Sequence, residues 1–145
     1  MVQPGRILHD PEACTGCGQC ELYCSLYHEG EQGPSLSRCE VAGDRLAAEF
    51  ELVVCKQCAS PDCYEACPEK DRALCVDEAT GITFVNAAEC TGCGTCVTAC
   101  PFEPSRIKMH LRKNVAFKCD LCRDRDEGPI CIEFCNYNAL EGASR

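Results

Sequence analysis

The sequence has no tryptophan and carries only 5 Phe, 4 Tyr and 2 Met in 145 residues. So few large apolar side chains leave little area to bury, and the protein part of any core must be thin. No apolar run approaches the roughly 20 residues that a bilayer-spanning helix needs, so direct membrane insertion is not expected. Met1 to Arg6 show neither an apolar signal core nor a twin arginine. A cytoplasmic location is therefore expected, and a disulfide framework is not, because it needs an oxidising compartment. Positive charge is also scarce: 14 Lys and Arg face 23 Asp and Glu, for a formal charge of −9. Such a surface repels nucleic acid and suits basic patches on a protein partner. No Ser/His/Asp set, phosphate loop or carboxylate pair is present, so no site for substrate chemistry can be assigned.

Cysteine is what the chain has instead. Sixteen of its 18 cysteines fall into four groups of four, each ending in C-x3-C. Group one (Cys14, Cys17, Cys20, Cys24) and group three (Cys90, Cys93, Cys96, Cys100) read C-x2-C-x2-C-x3-C. Group two (Cys55, Cys58, Cys63, Cys67) widens the middle gap to four residues, and group four (Cys119, Cys122, Cys131, Cys135) to eight. The compact run is the one that holds cubane 4Fe–4S clusters in bacterial ferredoxins. A cubane offers four irons at the corners of a tetrahedron. Three thiolates two residues apart can come from one tight loop, and the fourth comes from elsewhere in the chain. The C-x3-C step suits this if it sets the last cysteine at the start of a helix leading away. Gly16, Gly18, Gly92 and Gly94 lie between candidate ligands, where positive φ and close backbone approach are expected. Structural zinc is the competing reading, but it uses two C-x2-C pairs and has no need of the third closely spaced cysteine.

Bound metal is expected to supply stability that the thin core cannot. The organisation repeats: a short strand, a cysteine loop, a helix of one or two turns, then a connection. Ile7-Leu8, Val53-Val54, Ile82 to Val85 and Val115 to Phe117 are the candidate strands before the four groups. Thr80-Gly81 reads as the turn of a hairpin between Leu74-Cys75-Val76 and Ile82 to Val85. Pro68 and Pro101 follow the last cysteines of groups two and three, at a first helical turn or a sharp exit. Glu29 to Ser37 reads as a loop.

The residues resemble a known family. Cys14-Thr15-Gly16-Cys17, Val54-Cys55-Lys56-Gln57-Cys58 with Pro61-Asp62-Cys63, Cys90-Thr91-Gly92-Cys93 and Lys118-Cys119-Asp120-Leu121-Cys122 are similar to motifs of four-cluster ferredoxin-like electron-transfer subunits. These subunits, of the dimethyl sulfoxide reductase beta type, accompany molybdenum and tungsten enzymes. The stretch Cys24-Ser25-Leu26-Tyr27-His28-Glu29-Gly30, with Pro34 and Ser37-Arg38, looks like the small iron–sulfur subunits of tungsten aldehyde oxidoreductases. Similar stretches occur in those of benzoyl-coenzyme A reductase and carbon monoxide dehydrogenase.

The resemblance implies an α+β fold of two nested bacterial-ferredoxin-like lobes around four cubane clusters. The outer lobe would comprise residues 1–42 and 112–145, and the inserted lobe 43–111. The implied ligand sets are Cys14, Cys17, Cys20 and Cys135; Cys119, Cys122, Cys131 and Cys24; Cys55, Cys58, Cys63 and Cys100; and Cys90, Cys93, Cys96 and Cys67. It also implies a non-catalytic role, relaying electrons between a tungsten- or molybdenum-pterin subunit and a flavin subunit or ferredoxin. An iron–sulfur subunit of a benzoyl-coenzyme A reductase or carbon monoxide dehydrogenase, a free polyferredoxin and a structural zinc module are the alternatives. Ser25 and Asn136 depart from the proline common in ferredoxin runs, and Glu69 to Arg72 and Phe102 to Arg106 look like insertions.

Cys39 and Cys75 lie outside the groups and read as small buried hydrophobes. His9, His28 and His110 are not at ligand spacing and read as surface or hydrogen-bonding residues. Lys56, Lys118 and Arg123 flank the cysteines, where they would either raise local potentials or be solvated. Tyr23, Tyr27 and Tyr137 are placed to shield clusters from water. Ile130, Ile132 and Phe134 suggest an exposed apolar surface for head-to-tail self-assembly.

Overall fold

A computed structural model describes residues 5–143; the sequence readings resting on Met1 to Pro4 and on Arg145 lie outside them. The chain folds as short strands and helices in an α+β arrangement. Strand β1 (Arg6–His9) leads to helix α1 (Gln19–Glu29), then strands β2 (Glu40–Asp44) and β3 (Glu49–Val53). Helix α2 (Asp62–Ala66), strands β4 (Leu74–Val76) and β5 (Thr83–Val85), and helix α3 (Thr95–Ala99) follow. Strands β6 (Ile107–Met109) and β7 (Ala116–Lys118), helix α4 (Ile130–Glu133) and strand β8 (Leu140–Ala143) complete it.

The strands form four two-stranded antiparallel sheets among the described residues. Three are local hairpins: β2–β3, β4–β5 and β6–β7. The fourth pairs the two ends of the chain, with Ile7 opposite Gly142 and His9 opposite Leu140. Helix α1 packs on α4 and α2 on α3, so elements from the two ends of the chain pair with each other, as do elements from its middle. The junctions after residues 42 and 111 fall inside the β2–β3 and β6–β7 hairpins. The β4–β5 hairpin lies where Thr80-Gly81 places it. The β2–β3 hairpin was not anticipated: its turn is closed by the Asp44 carboxylate, which accepts the N–H groups of Leu46 at 2.8 Å and Ala47 at 3.3 Å. Such an Asx turn leaves no Gly-rich signal in the sequence.

Helix lengths follow what comes after each fourth cysteine. In α2 and α3 the fourth cysteine, Cys67 or Cys100, is the C-cap, and Pro68 or Pro101 then prevents continuation. These prolines are sharp exits. Ser25 replaces proline after Cys24, and α1 runs on to 11 residues, longer than the one or two turns expected. The serine is fully buried; its Oγ donates to the Leu22 carbonyl and accepts the Gly33 N–H, both at 3.0 Å. The helix ends at Gly30, whose left-handed φ of 73° lets its N–H reach the Leu26 carbonyl. Residues 34–36, within the expected loop, form a 3-10 turn. In groups one to three the helix spans the C-x3-C step itself, so the last cysteine lies within the helix or at its C-cap; in group four Cys131 lies in α4 and Cys135 just past its C-cap, Phe134. The expected position at a helix start is wrong, because the third cysteine already begins or enters the helix.

The core is built on cysteine. Its main cluster joins Ile7, Leu52, Val54 and Leu140 to Cys20, Cys24, Cys39, Cys55, Cys119 and Cys131. A smaller one gathers Cys96, Ile107 and Ala116. The apolar trio of α4 is not an exposed docking face. Ile130 is buried, Ile132 packs on the main core, and Phe134 stacks on Tyr23 with ring centroids 4.1 Å apart. Those side chains fasten α4 to α1 instead. None of the helices is long and apolar enough to cross a membrane.

A polar clamp ties the end of α1 to the β6–β7 turn. The Glu29 carboxylate receives His110 Nε2 at 3.1 Å and Lys113 Nζ at 2.7 Å. Burial pushes the Glu29 carboxyl up, but the hydrogen bonds from Lys113 and His110 outweigh it and hold it below its ordinary 4.5. A depressed carboxyl contributes stability above its unfolded pKa and loses it as pH falls. Glu29→Gln should therefore lower stability at pH 7 by about 1 kcal/mol. It should also flatten the loss of stability below pH 4.5, as read from thermal melts across pH.

Candidate metal centres

All four groups open with the same backbone device. The residue before the second cysteine is left-handed in each: Gly16 (φ 68°), Gln57 (48°), Gly92 (75°) and Leu121 (58°). The sequence advertises this at the two glycines and hides it at Gln57 and Leu121, which bear the strain of positive φ. The turn directs main-chain N–H groups at sulfur. Gln57 N–H reaches Cys55 Sγ and Leu121 N–H reaches Cys119 Sγ, each at 3.4 Å. Further N–H donors come from Arg38 to Cys24, Arg106 to Cys100, Ala116 to Cys90 and Ala139 to Cys135, at 3.3–3.4 Å. Such donors stabilise thiolate over thiol and suit an anionic thiolate cluster.

The sulfurs gather across groups. One cavity is lined by Cys14, Cys17 and Cys20 with Cys135. A second is lined by Cys55, Cys58 and Cys63 with Cys100. A third is lined by Cys90, Cys93 and Cys96 with Cys67. The remaining four, Cys24, Cys119, Cys122 and Cys131, are all buried. They stand close enough to act on one another. Burial pushes the thiols of Cys119, Cys122 and Cys131 up, and neighbouring thiols add to it, Cys24 among them in each case. Twelve of the sixteen grouped cysteines thus line three cavities, in each of which three come from one group and one from another, and the other four are buried.

These surroundings fit an anionic iron–sulfur group. Half-buried Cys63 is pushed up to about 11, first by desolvation, and the neighbouring thiols Cys55 and Cys100 add to it. Hydrogen bonding with Cys39 instead lowers the thiols of Cys20 and Cys24; iron is what lets four thiolates share one pocket. Three buried nitrogens without a protein partner also stand beside the sets. His9, with Nε2, and Arg106, with Nε, line two of the cavities. The Arg38 main chain, whose side chain carries the third, is bonded to Cys24.

The remaining candidates sort by burial. Cys39 is 2% exposed in the main core. Its thiol is pushed well up by hydrogen bonding with Cys20 and Cys24, then by burial, so it stays a thiol between two sets. Cys75 is half-buried in β4 and donates to the Arg72 carbonyl at 3.4 Å. Tyr23 is packed on Phe134, and Tyr137, though 49% exposed, lines the cavity of Cys14, Cys17, Cys20 and Cys135, whereas Tyr27 is 42% exposed and lines none of the three cavities. His28 is the residue that spacing between cysteines missed. Its Nε2 lies 3.5 Å from Cys122 Sγ and 3.9 Å from Asp120, which Arg38 pairs at 3.1 Å. Cys20, Cys24 and His28 recur every four residues along α1, a helical-face signal that would have placed it there.

The loop geometry yields a graded test. An added Cβ at Gly92 would fall 2.2 Å from the Asn114 carbonyl oxygen, whereas one at Gly94 meets nothing within 4 Å. Both residues have a φ near 75°. Gly94→Ala should cost only the backbone strain of about 1–2 kcal/mol. Gly92→Ala should in addition push β7's approach away from Cys90 and lower iron content, measured by metal analysis beside thermal melts of both variants.

Comparison with known proteins agrees with this chemistry. The model of the 4Fe-4S dicluster domain matches residues 46–145, and that of a 4Fe-4S binding domain matches residues 11–27. The polyferredoxin-like subunit of aliphatic sulfonate oxidoreductase from Pyrococcus furiosus is 41% identical over 137 residues, covering 90% of this chain and 70% of that protein. The putative electron transport protein YsaA of Escherichia coli is 34% identical, covering 93% and 87%. Among solved structures, the active site complex BamBC of benzoyl coenzyme A reductase superposes over 97% of this chain and 80% of that one. The TM-score is 0.57 at 22% identity, which shows a shared fold. The left-handed cysteine loops, the N–H donors aimed at sulfur and the relatives converge on one assignment: this chain belongs to the 4Fe-4S dicluster domain family and is a non-catalytic iron–sulfur electron-transfer protein.

Proposed function

We propose that the chain carries four 4Fe–4S clusters in a row and relays single electrons for a catalytic partner. The observation carrying this is the gathering of sulfurs into sets of three plus one. The ligand sets we assign are Cys14, Cys17, Cys20 and Cys135; Cys24, Cys119, Cys122 and Cys131; Cys55, Cys58, Cys63 and Cys100; and Cys67, Cys90, Cys93 and Cys96. Bound clusters supply reversible one-electron chemistry; the protein supplies spacing, insulation and charge. Helix α1 places Cys20 in the first set and Cys24 in the second, and α4 with the turn after it does the same with Cys135 and Cys131. Helices α2 and α3 link the third and fourth sets likewise. Cys119 and Cys55 share the main core and join the second set to the third. The order along the wire is therefore first, second, third, fourth. Tunnelling weakens exponentially with distance, so a closely spaced row is what long transfer requires. Cys17 and Cys93, in the two end sets, are the exposed ligands and mark entry and exit.

For the partner we infer a tungsten- or molybdenum-pterin catalytic subunit, of which an aldehyde oxidoreductase is the form favoured by the Cys24 to Gly30 motif. The likeness to an aliphatic sulfonate oxidoreductase subunit supports attachment to an oxidoreductase. A benzoyl-coenzyme A reductase type of assembly is the second reading, favoured by the fold shared with the BamBC complex. Purification of the native complex, with metal analysis and identification of its largest subunit, separates these from a free polyferredoxin.

Ligation is tested on the isolated chain. Four cubanes require about sixteen iron and sixteen sulfide per chain, and Cys39→Ala and Cys75→Ala should keep both in full. Cys135→Ala should disturb the cluster held by Cys14, Cys17 and Cys20 in electron paramagnetic resonance, and Cys24→Ala the one held by Cys119, Cys122 and Cys131. Damage confined to each mutated group's own loop would overturn the assignment.

A further inference from the structure

Lys118 is only 2% exposed. A buried ammonium without an anion is strongly unfavourable, and buried charges are ordinarily paired. Yet its protein partners are neutral: Nζ donates to the Thr83 carbonyl and to the Cys119 carbonyl. Gln57, 1% exposed, fills the same junction. Its Nε2 donates to those two carbonyls at 3.2 Å and 2.8 Å, and its Oε1 accepts the Thr83 N–H at 2.9 Å. This amide holds the Thr83 and Cys119 carbonyls in place around the lysine. Lys118 also lines the cavity of Cys55, Cys58, Cys63 and Cys100.

The four sets differ sharply in the charge around them. Lys56, Arg106 and Lys118 line the cavity of Cys55, Cys58, Cys63 and Cys100, against a single carboxylate, Asp62. The cavity of Cys14, Cys17, Cys20 and Cys135 is lined by His9 and no lysine, arginine or carboxylate, and that of Cys67, Cys90, Cys93 and Cys96 by Glu69 alone among charged residues. At the second set, Arg38 is neutralised by Asp120 at 3.1 Å. Reduction adds one electron to an already anionic site, so positive charge held in a low-dielectric wall favours the reduced state.

We propose that Lys118 is the internal counter-ion of the cluster held by Cys55, Cys58, Cys63 and Cys100, and that it makes this inner centre the highest-potential one of the four. The inference rests on the ligand sets proposed above. Electrons arriving from either end then fall toward the centre of the wire, where the protein stores one while its ends exchange with partners. Lys118 acts as a tuning residue rather than a ligand.

The test is a redox titration of the reconstituted full chain followed by electron paramagnetic resonance. In the unaltered protein the signal reduced first should be the one perturbed by Cys58→Ala. Lys118→Met removes the charge at similar length, and Lys118→Gln removes it while keeping an N–H donor for the carbonyls. Both should make that one centre at least about tenfold harder to reduce, a shift of about 59 mV for one electron. Lys118→Arg should restore it, and the other three centres should move less. Loss of this cluster in the Met and Gln variants but not in the Arg variant also supports pairing, since charge is what the Arg variant retains. Unchanged potentials with all clusters intact, equal shifts in every centre, or loss of the cluster in the Arg variant would each overturn the proposal. Fewer than four clusters in the unaltered protein would instead defeat the ligand assignment on which it rests.

Discussion

The fold depends on how much sulfur it can keep charged out of water. Two unit charges about 4 Å apart repel by roughly 4 kcal/mol at an effective dielectric near 20. The pairs within one set of four thiolates then sum to more than the roughly 5–15 kcal/mol by which a domain of this kind is stable. Four such sets cannot be ionised inside this chain by protein contacts alone. Main-chain N–H groups, a few buried cations and, above all, bound iron must offset the repulsion. That explains why cysteines occupy positions where an ordinary domain of this size would place leucine and phenylalanine. Metal binding and folding are one event in such a chain.

Much of this could be read before the structure, because the chemistry is written in spacing. The cysteine groups, the glycines at positive φ, the β4–β5 hairpin and the proline exits all follow from local rules that a single stretch of sequence obeys. What escaped depends on side chains meeting across the chain or on turns with no glycine signal. The left-handed Gln57 and Leu121 carry no local hint, because their strain is offset by the sulfur contacts they create. The length of α1 escaped because a serine where proline is common permits a helix without announcing one. The apolar trio on α4 misled because hydrophobicity alone does not say which way a short helix faces; Tyr23, on a distant helix, covers it. The lysine before Cys119 read equally as solvated or as tuning, and only burial decides between them.

The proposed ligand sets follow from the same geometry that shapes the helices. Residues four apart on a helix lie on one face, about 5–6 Å between their Cβ atoms. A C-x3-C step on a helix therefore holds two cysteines near each other without letting them serve one cubane together with the loop before them. On the proposed ligation, each helix becomes a bridge between two centres, and the short centre-to-centre distance is fixed by backbone hydrogen bonds. The β1–β8 pairing completes the arrangement by bringing the last group back to the first.

The junction between the second and third sets is built differently. No helix spans it; Cys55 and Cys119 meet through the main core, with Gln57 and Lys118 holding the carbonyls between them. Helical bridges fix distance but offer few places to adjust energy. A junction of side chains can be altered one residue at a time without disturbing the ligand loops. Charge placed there acts on the middle of the wire, away from solvent that would screen it. The end sets, with Cys17 and Cys93 at the surface, must instead match whatever partner docks beside them. On the proposed ligation the chain thus separates two requirements: distance is set by helices at the ends, and energy by the buried cation proposed at the centre.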